Sequence, residues 1–131
     1  MKTTTKKTKK EKGVTEINLT IKVTDQNIDD IMVCAMEGGI NYWCEKAEVK
    51  NYLKCDYASD VISKGGKMTL HCIEDYDKPI LTKEKFIKGL EMFLKERPDA
   101  ISNGEVDCGA IDADYADMII QYAVFDELVF G

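Results

Sequence analysis

Between Thr82 and Pro98 the chain carries a segment whose fold is tightly constrained. Phe86, Ile87, Leu90, Phe93 and Leu94 recur at three- and four-residue spacing, which places them on one face of an α-helix over residues 83–96. Thr82 can accept from the free N–H groups of the first turn. Arg97-Pro98 ends the helix, because proline has no N–H and disfavours helical geometry in the residue before it. An isolated helix cannot bury such a stripe, so the other segments must supply its cover.

Period-two patterning supplies one candidate. Residues 15–24 place Ile17, Leu19, Ile21 and Val23 on one side, the pattern of a half-buried strand. Thr24 then sits at an N-cap position, with Asp25, Asp29 and Asp30 near the positive end of the helix that follows. Ile28, Ile31, Met32, Cys34 and Ala35 give that helix its stripe, and Gly38-Gly39 marks its stop. Ile40, Tyr42, Trp43 and Ala47 belong to a short helical or extended segment. A strand is expected near residues 49–55 and a short segment at 60–63. Lys64-Gly65-Gly66-Lys67 reads as a turn, followed by a strand at 68–73 and a polar turn at 74–79. After the helix at 83–96, residues 100–110 read as a loop with a turn at Asn103-Gly104. Asp112 caps a last helix, with Ile111 as its staple, and Tyr115, Met118, Ile119, Tyr122, Ala123 and Val124 along it. Residues 128–130 are expected to close the sheet as a short strand. The order β-α-β-β-α-α-β implies an α+β domain over residues 14–131, a small sheet of about four strands covered on one face by three helices. Some 118 residues suffice for a core without metal or disulfide.

Charge divides the chain. Residues 1–13 hold six lysines and one glutamate, a net of +5, so the overall −6 leaves −11 on the remaining residues. The Lys/Thr-rich tail has nothing apolar to bury and is expected to be disordered. An acidic body repels polyphosphate, so direct nucleic-acid binding by the folded domain is not expected. It suits a basic partner, including a surface that normally holds DNA or RNA. No apolar run approaches the ~20 residues of a membrane span, and residues 1–13 have no apolar core of a secretory signal. A cytoplasmic location with reduced thiols is therefore expected for Cys34, Cys44, Cys55, Cys72 and Cys108.

Catalytic patterns are missing. The single histidine, His71, adjoins Cys72 on a strand, which sends the two side chains to opposite faces. A Cys–His pair would need a thiolate-stabilising setting that an acidic domain supplies poorly. The scattered thiols do not have the close spacing of a zinc site. There is no phosphate-binding glycine loop, nucleophile elbow or H-E-x-x-H. No catalytic residue, metal site or cofactor is expected. The segment from Glu37 to Cys44 is the most unusual, because Gly38 and Gly39 admit a close neighbour beside Tyr42 and Trp43. Those rings either fill the core or form a ligand pocket or interface, with Lys64 and Lys67 as candidate phosphate contacts. Glu74, Asp75, Asp77, Asp112 and Asp114 are the candidate acidic face for a partner, although Asp112 is explained by capping alone.

The segments E-G-G-I-N-Y-W-C (37–44), Y-A-S-D-V-I-S-K-G-G (57–66), L-T-K-E-K-F-I-K-G-L (81–90) and residues 111–131 resemble a group of small proteins from phages and prophages of Firmicutes and gut bacteria. The resemblance implies a virus-encoded accessory protein of the host cytosol. By analogy with other small acidic phage proteins, it implies an anti-defence inhibitor that works by binding. It would act as an anti-CRISPR protein that blocks the basic nucleic-acid channel of a CRISPR nuclease or similar host immune effector, or it would sequester a nucleotide second messenger. A small thiol- or metal-dependent nucleotide hydrolase and a virion or replication structural protein are the alternatives, and a homo-oligomer is compatible with each.

Overall fold

The computed structural model describes residues 11–131. The first ten residues of the expected disordered tail lie outside the described residues. Three helices and two small antiparallel sheets make an α+β fold. Helix α1 is Asp25–Cys34, α2 is Lys83–Glu96 and α3 is Ala113–Phe125. Strands β1 (Cys44–Glu48), β2 (Met68–Cys72) and β3 (Ile80–Leu81) form one sheet in that order, and β4 (Ile101–Ser102) pairs with β5 (Glu105–Val106) in the other.

Each helix begins where a side chain can satisfy its free N–H groups. Thr24 and Asn27 form a reciprocal capping box on α1, Thr82 accepts from Lys85 N–H on α2, and Asp112 accepts from Tyr115 N–H on α3. Helix α1 widens at Ala35 into a π-helical turn that runs to Gly39, so the helical run ends at the expected double glycine. Helix α3 is the hub, touching α1, the π turn, β3 and, most extensively, α2. The core lies between these elements: Ile28, Ile31 and Met32 from α1, Phe86, Leu90 and Phe93 from α2, and Ala116, Ile119, Ile120 and Ala123 from α3. From the sheet, Met68, Leu70 and Cys72 enter it on alternate residues of β2.

Three expected strands are absent as drawn. Residues 15–20 run exposed, with Ile17 77% and Leu19 76% accessible, because no strand edge of the fold lies beside them. Only Lys22 makes a bridge, to Glu105 of the β4–β5 hairpin, while Ile21 and Val23 rest against the core. The strand expected near residues 49–55 lies earlier, at β1. Leu53 and Lys54 adopt positive φ, and Asn51 accepts from Leu53 N–H, which makes that stretch a turn. Residues 128–130 are not a strand; side-chain hydrogen bonds to Gln121 hold them. The expected loop at 100–110 instead contains the β4–β5 hairpin, turned at Asn103 and Gly104, both of positive φ. The element order is therefore α-β-β-β-α-β-β-α.

The closest helix approach is at Gly89, where an added Cβ would stand 2.6 Å from both the Ala123 nitrogen and the Ile119 carbonyl oxygen. Alanine is the better helix former by about 1 kcal/mol, but here it would force α2 from α3. Gly89→Ala is expected to lose about 1–3 kcal/mol in urea unfolding. Gly38→Ala, with nothing within 4 Å of its Cβ, is expected to change stability by no more than about 0.5 kcal/mol.

Candidate functional site: an acidic, aromatic groove on helix α3

Helix α3 carries apolar residues on most of its circumference, yet Asp117 and Gln121 are buried one turn apart on it. Buried polar groups need partners, and these two find them in segments without regular structure. Asp117 Oδ1 accepts from Trp43 Nε1–H at 2.7 Å and from Gln121 Nε2–H at 2.9 Å, and Oδ2 accepts from the Tyr42 hydroxyl at 2.6 Å. Gln121 Oε1 accepts from the backbone N–H of Val129 (2.8 Å) and Phe130 (2.9 Å), while its amide nitrogen lies 3.3 Å from the Phe130 carbonyl oxygen. The Gln121 amide thus pairs with residues 129–130 as a peptide group of a neighbouring strand would.

Above this network lies an open groove lined by Tyr42, Ile73, Asp114, Asp117, Met118, Gln121, Leu128, Phe130 and Gly131. Beneath it, joined through Phe130, lies an aromatic cluster. Trp43 stacks parallel to Phe130, 5.2 Å between centroids, and meets Phe125 at 5.6 Å. Tyr76 packs edge-on against both Phe125 and Phe130, which ties the acidic turn around Glu74, Asp75 and Asp77 to the same aromatic cluster. Glu74 and Asp75 are consecutive positive-φ residues. That conformation costs about 1–2 kcal/mol for a non-glycine residue.

The structure sorts the expected site residues into separate places. Tyr42 is half exposed and Asp114 lines the same groove. Trp43 is fully enclosed and belongs to the core. Gly39 admits a close neighbour, but that neighbour is the chain itself: a Cβ there would stand 2.7 Å from the Ala113 carbonyl oxygen. Gly38 is exposed with open space around it. Lys64 pairs with Asp25 at 3.3 Å, and Lys67 lines a different pocket with Lys50, Gly65 and Gly66. Neither lysine lines the groove beside Tyr42. Asp112 is the cap of α3.

Comparison with known proteins finds no matching family model, no matching curated protein and no matching solved structure.

The thiols and the histidine are occupied elsewhere. Burial raises the pKa of Cys44, Cys72 and Cys108, which keeps them as thiols near neutrality. His71 Nε2 lies 2.9 Å from Glu48, and the hydrogen bond from His71 is the main cause that lowers the Glu48 carboxyl pKa. Among the described residues no group of three or more His, Cys, Asp or Glu could hold a metal ion, and no helix is long and apolar enough to cross a membrane.

The residues that organise the groove, Asp117, Gln121 and Phe130, were not among the expected ones. Their signal was Asp117 and Gln121 at i and i+4 within A-D-M-I-I-Q-Y-A-V-F. In so apolar a helix, two polar residues one turn apart face a buried partner.

Removing the Asp117 carboxylate strands three donors. Asp117→Ala is expected to cost about 2–4 kcal/mol in urea unfolding, with Trp43 fluorescence reporting the loosened indole. Burial, and then the bond to Asp117, push the Tyr42 phenol up to about 12. The folded state therefore holds its proton more tightly than the unfolded chain, whose phenols titrate near ~10. The stabilisation from this group is complete below pH ~10 and disappears as pH rises through about 12. Burial also raises the Tyr122 pKa, so tyrosinate absorbance is expected to show one late-ionising phenol fewer in folded Tyr42→Phe than in the wild type.

Proposed function

We propose that this chain is a phage-encoded accessory protein that inhibits a host defence system by binding, without catalysis. Its groove on α3 would take a basic, partly apolar segment of a host effector protein. The observation that carries this reading is the composition of the groove. Asp114 and Asp117 line it together with the apolar surface of Ile73, Met118, Leu128 and Phe130, and no lysine or arginine is among its lining residues. Such a surface attracts an arginine- or lysine-bearing segment and repels phosphate. It favours a protein target over a nucleotide signal, and the enclosure of Trp43 removes one of the two rings on which a nucleotide would have stacked. The phage origin rests on the sequence resemblance, and the acidic body, −11 outside residues 1–13, agrees with a partner surface that otherwise holds nucleic acid.

The hydroxyl of Tyr42 already donates to Asp117, so the ring and the Asp114 carboxylate are what the groove offers. The test is phage plating on hosts carrying defined defence systems, with capture of the effector by the purified chain. Wild type is expected to restore plating on at least one defended host and to retain a basic effector at low salt, losing it as salt rises. Asp114→Lys and Tyr42→Ala are each expected to weaken capture about tenfold or more, about 1.4 kcal/mol, with the fold intact by circular dichroism. Protection and capture that ignore both substitutions would overturn the reading.

A further inference from the structure

We propose that Cys44 and Cys72 are a cross-strand thiol pair that closes to a reversible disulfide under hydroperoxide. This proposal is independent of the binding function above. The two residues face each other across β1 and β2. The Ile73 N–H donates to the Trp43 carbonyl at 2.9 Å, while the Cys72 N–H donates away from β1, to Asp77. Those bonds make Cys44 and Cys72 a non-hydrogen-bonded pair. In such a pair the Cα atoms stand about 4.5 Å apart and the side chains are closest, within the ~4.4–6.8 Å span that a disulfide bridges. Both side chains point to the buried side, with Cys44 7% and Cys72 3% accessible. Glu45 is the extra residue of a bulge directly beside the pair, which gives β1 freedom to adjust as the sulfurs join.

Access is one-sided. Cys44 lines a surface pocket with Met36, Ile40, Asn41 and Lys46, whereas Cys72 does not. A small oxidant therefore meets Cys44 first. Burial raises the Cys44 pKa, so only the small fraction that has lost its proton to solvent reacts: that sulfur attacks one oxygen of hydrogen peroxide, the O–O bond breaks, and hydroxide leaves and takes up a proton, leaving a sulfenic acid on Cys44. The Cys72 thiol then attacks that sulfur from inside and gives up its proton, the S–O bond breaks, and the departing hydroxide takes up that proton as a second water. Two thiols and one hydrogen peroxide give one disulfide and two waters, with two electrons passing from sulfur to oxygen. The bond ties the residue that follows Trp43 to the one that precedes Ile73. It would therefore pin two edges of the α3 groove without using the groove itself.

The test treats the full chain with stoichiometric hydrogen peroxide, alkylates the remaining thiols in denaturant and maps peptides by mass spectrometry. Three of the five cysteines are expected to alkylate, with one cross-linked peptide joining Cys44 to Cys72 and full reversal by dithiothreitol. The oxidised protein is expected to melt roughly 5–15 °C higher, since the bridge closes a loop. Cys55→Ser is expected to behave as wild type, and Cys72→Ser to leave Cys44 unbridged. Five alkylatable thiols after treatment, or a bridge joining Cys44 or Cys72 to any other cysteine or to a second chain, would overturn the proposal. The wild-type map decides the question even if Cys72→Ser fails to fold.

Discussion

A buried carboxylate on the central helix holds together the parts of this protein that regular structure does not. Asp117 accepts three hydrogen bonds, from Trp43, Tyr42 and Gln121. Without partners, a charged group at 8% accessibility would be strongly unfavourable. With three donors the cost is offset, and each donor is fixed in place. Tyr42 and Trp43 belong to the turn between the π-helical segment and β1, and Gln121 passes the constraint on to residues 129–130. Two irregular segments are thus fastened to one helix by side chains alone. The stacking of Trp43 on Phe130 joins those segments to each other as well.

The legibility of the fold follows how locally each element is determined. Helix α2 matches its sequence reading because its stripe, cap and proline stop all lie within the segment. Helices α1 and α3 begin at Thr24 and Asp112 for the same reason. Strand β2 is central, and both its neighbours enforce the alternation that marks it. Strand β1 is an edge strand with a bulge at Glu45, and Cys44-Glu45-Lys46-Ala47-Glu48 has no clean alternation to read. Residues 15–24 show the opposite failure. Their pattern is regular, but a strand requires an edge to pair with, and the hairpin β4–β5 gives only the contact at Lys22. Periodicity describes what a segment can do; pairing is settled by distant residues.

The candidate site divides in the same manner. Tyr42 and Asp114 stand out in the sequence as an aromatic residue and an acid, and the fold brings them to one groove. Trp43, adjacent to Tyr42, faces inward because its indole N–H has a buried acceptor that only α3 can supply, 74 residues later. Lys64 and Lys67 looked like partners for an anion. Nothing in the local sequence shows that Lys64 would pair with Asp25 at the start of α1, or that Lys67 would line another pocket. Gly39 also has a purpose invisible locally, since its missing Cβ makes room for the start of α3.

The same network that stabilises the groove limits what it can recognise. The Tyr42 hydroxyl donates to Asp117 and lies 3.3 Å from the Gln121 amide nitrogen, so it has little left to offer an incoming donor or acceptor. Asp117 is likewise spent on internal partners. What remains outward is the Tyr42 ring, the Asp114 carboxylate and the apolar surfaces of Met118 and Leu128. On the proposed reading, a partner would bring its own positive charge and enough apolar stem to cover those surfaces, as arginine and lysine side chains do. Because the cluster beneath the groove is stacked and hydrogen-bonded already, little side-chain entropy would be lost there on binding. For the proposed partner the cost would fall on ordering its own side chain and on desolvating Asp114, so selectivity would rest on how well one cation replaces the water around that single carboxylate.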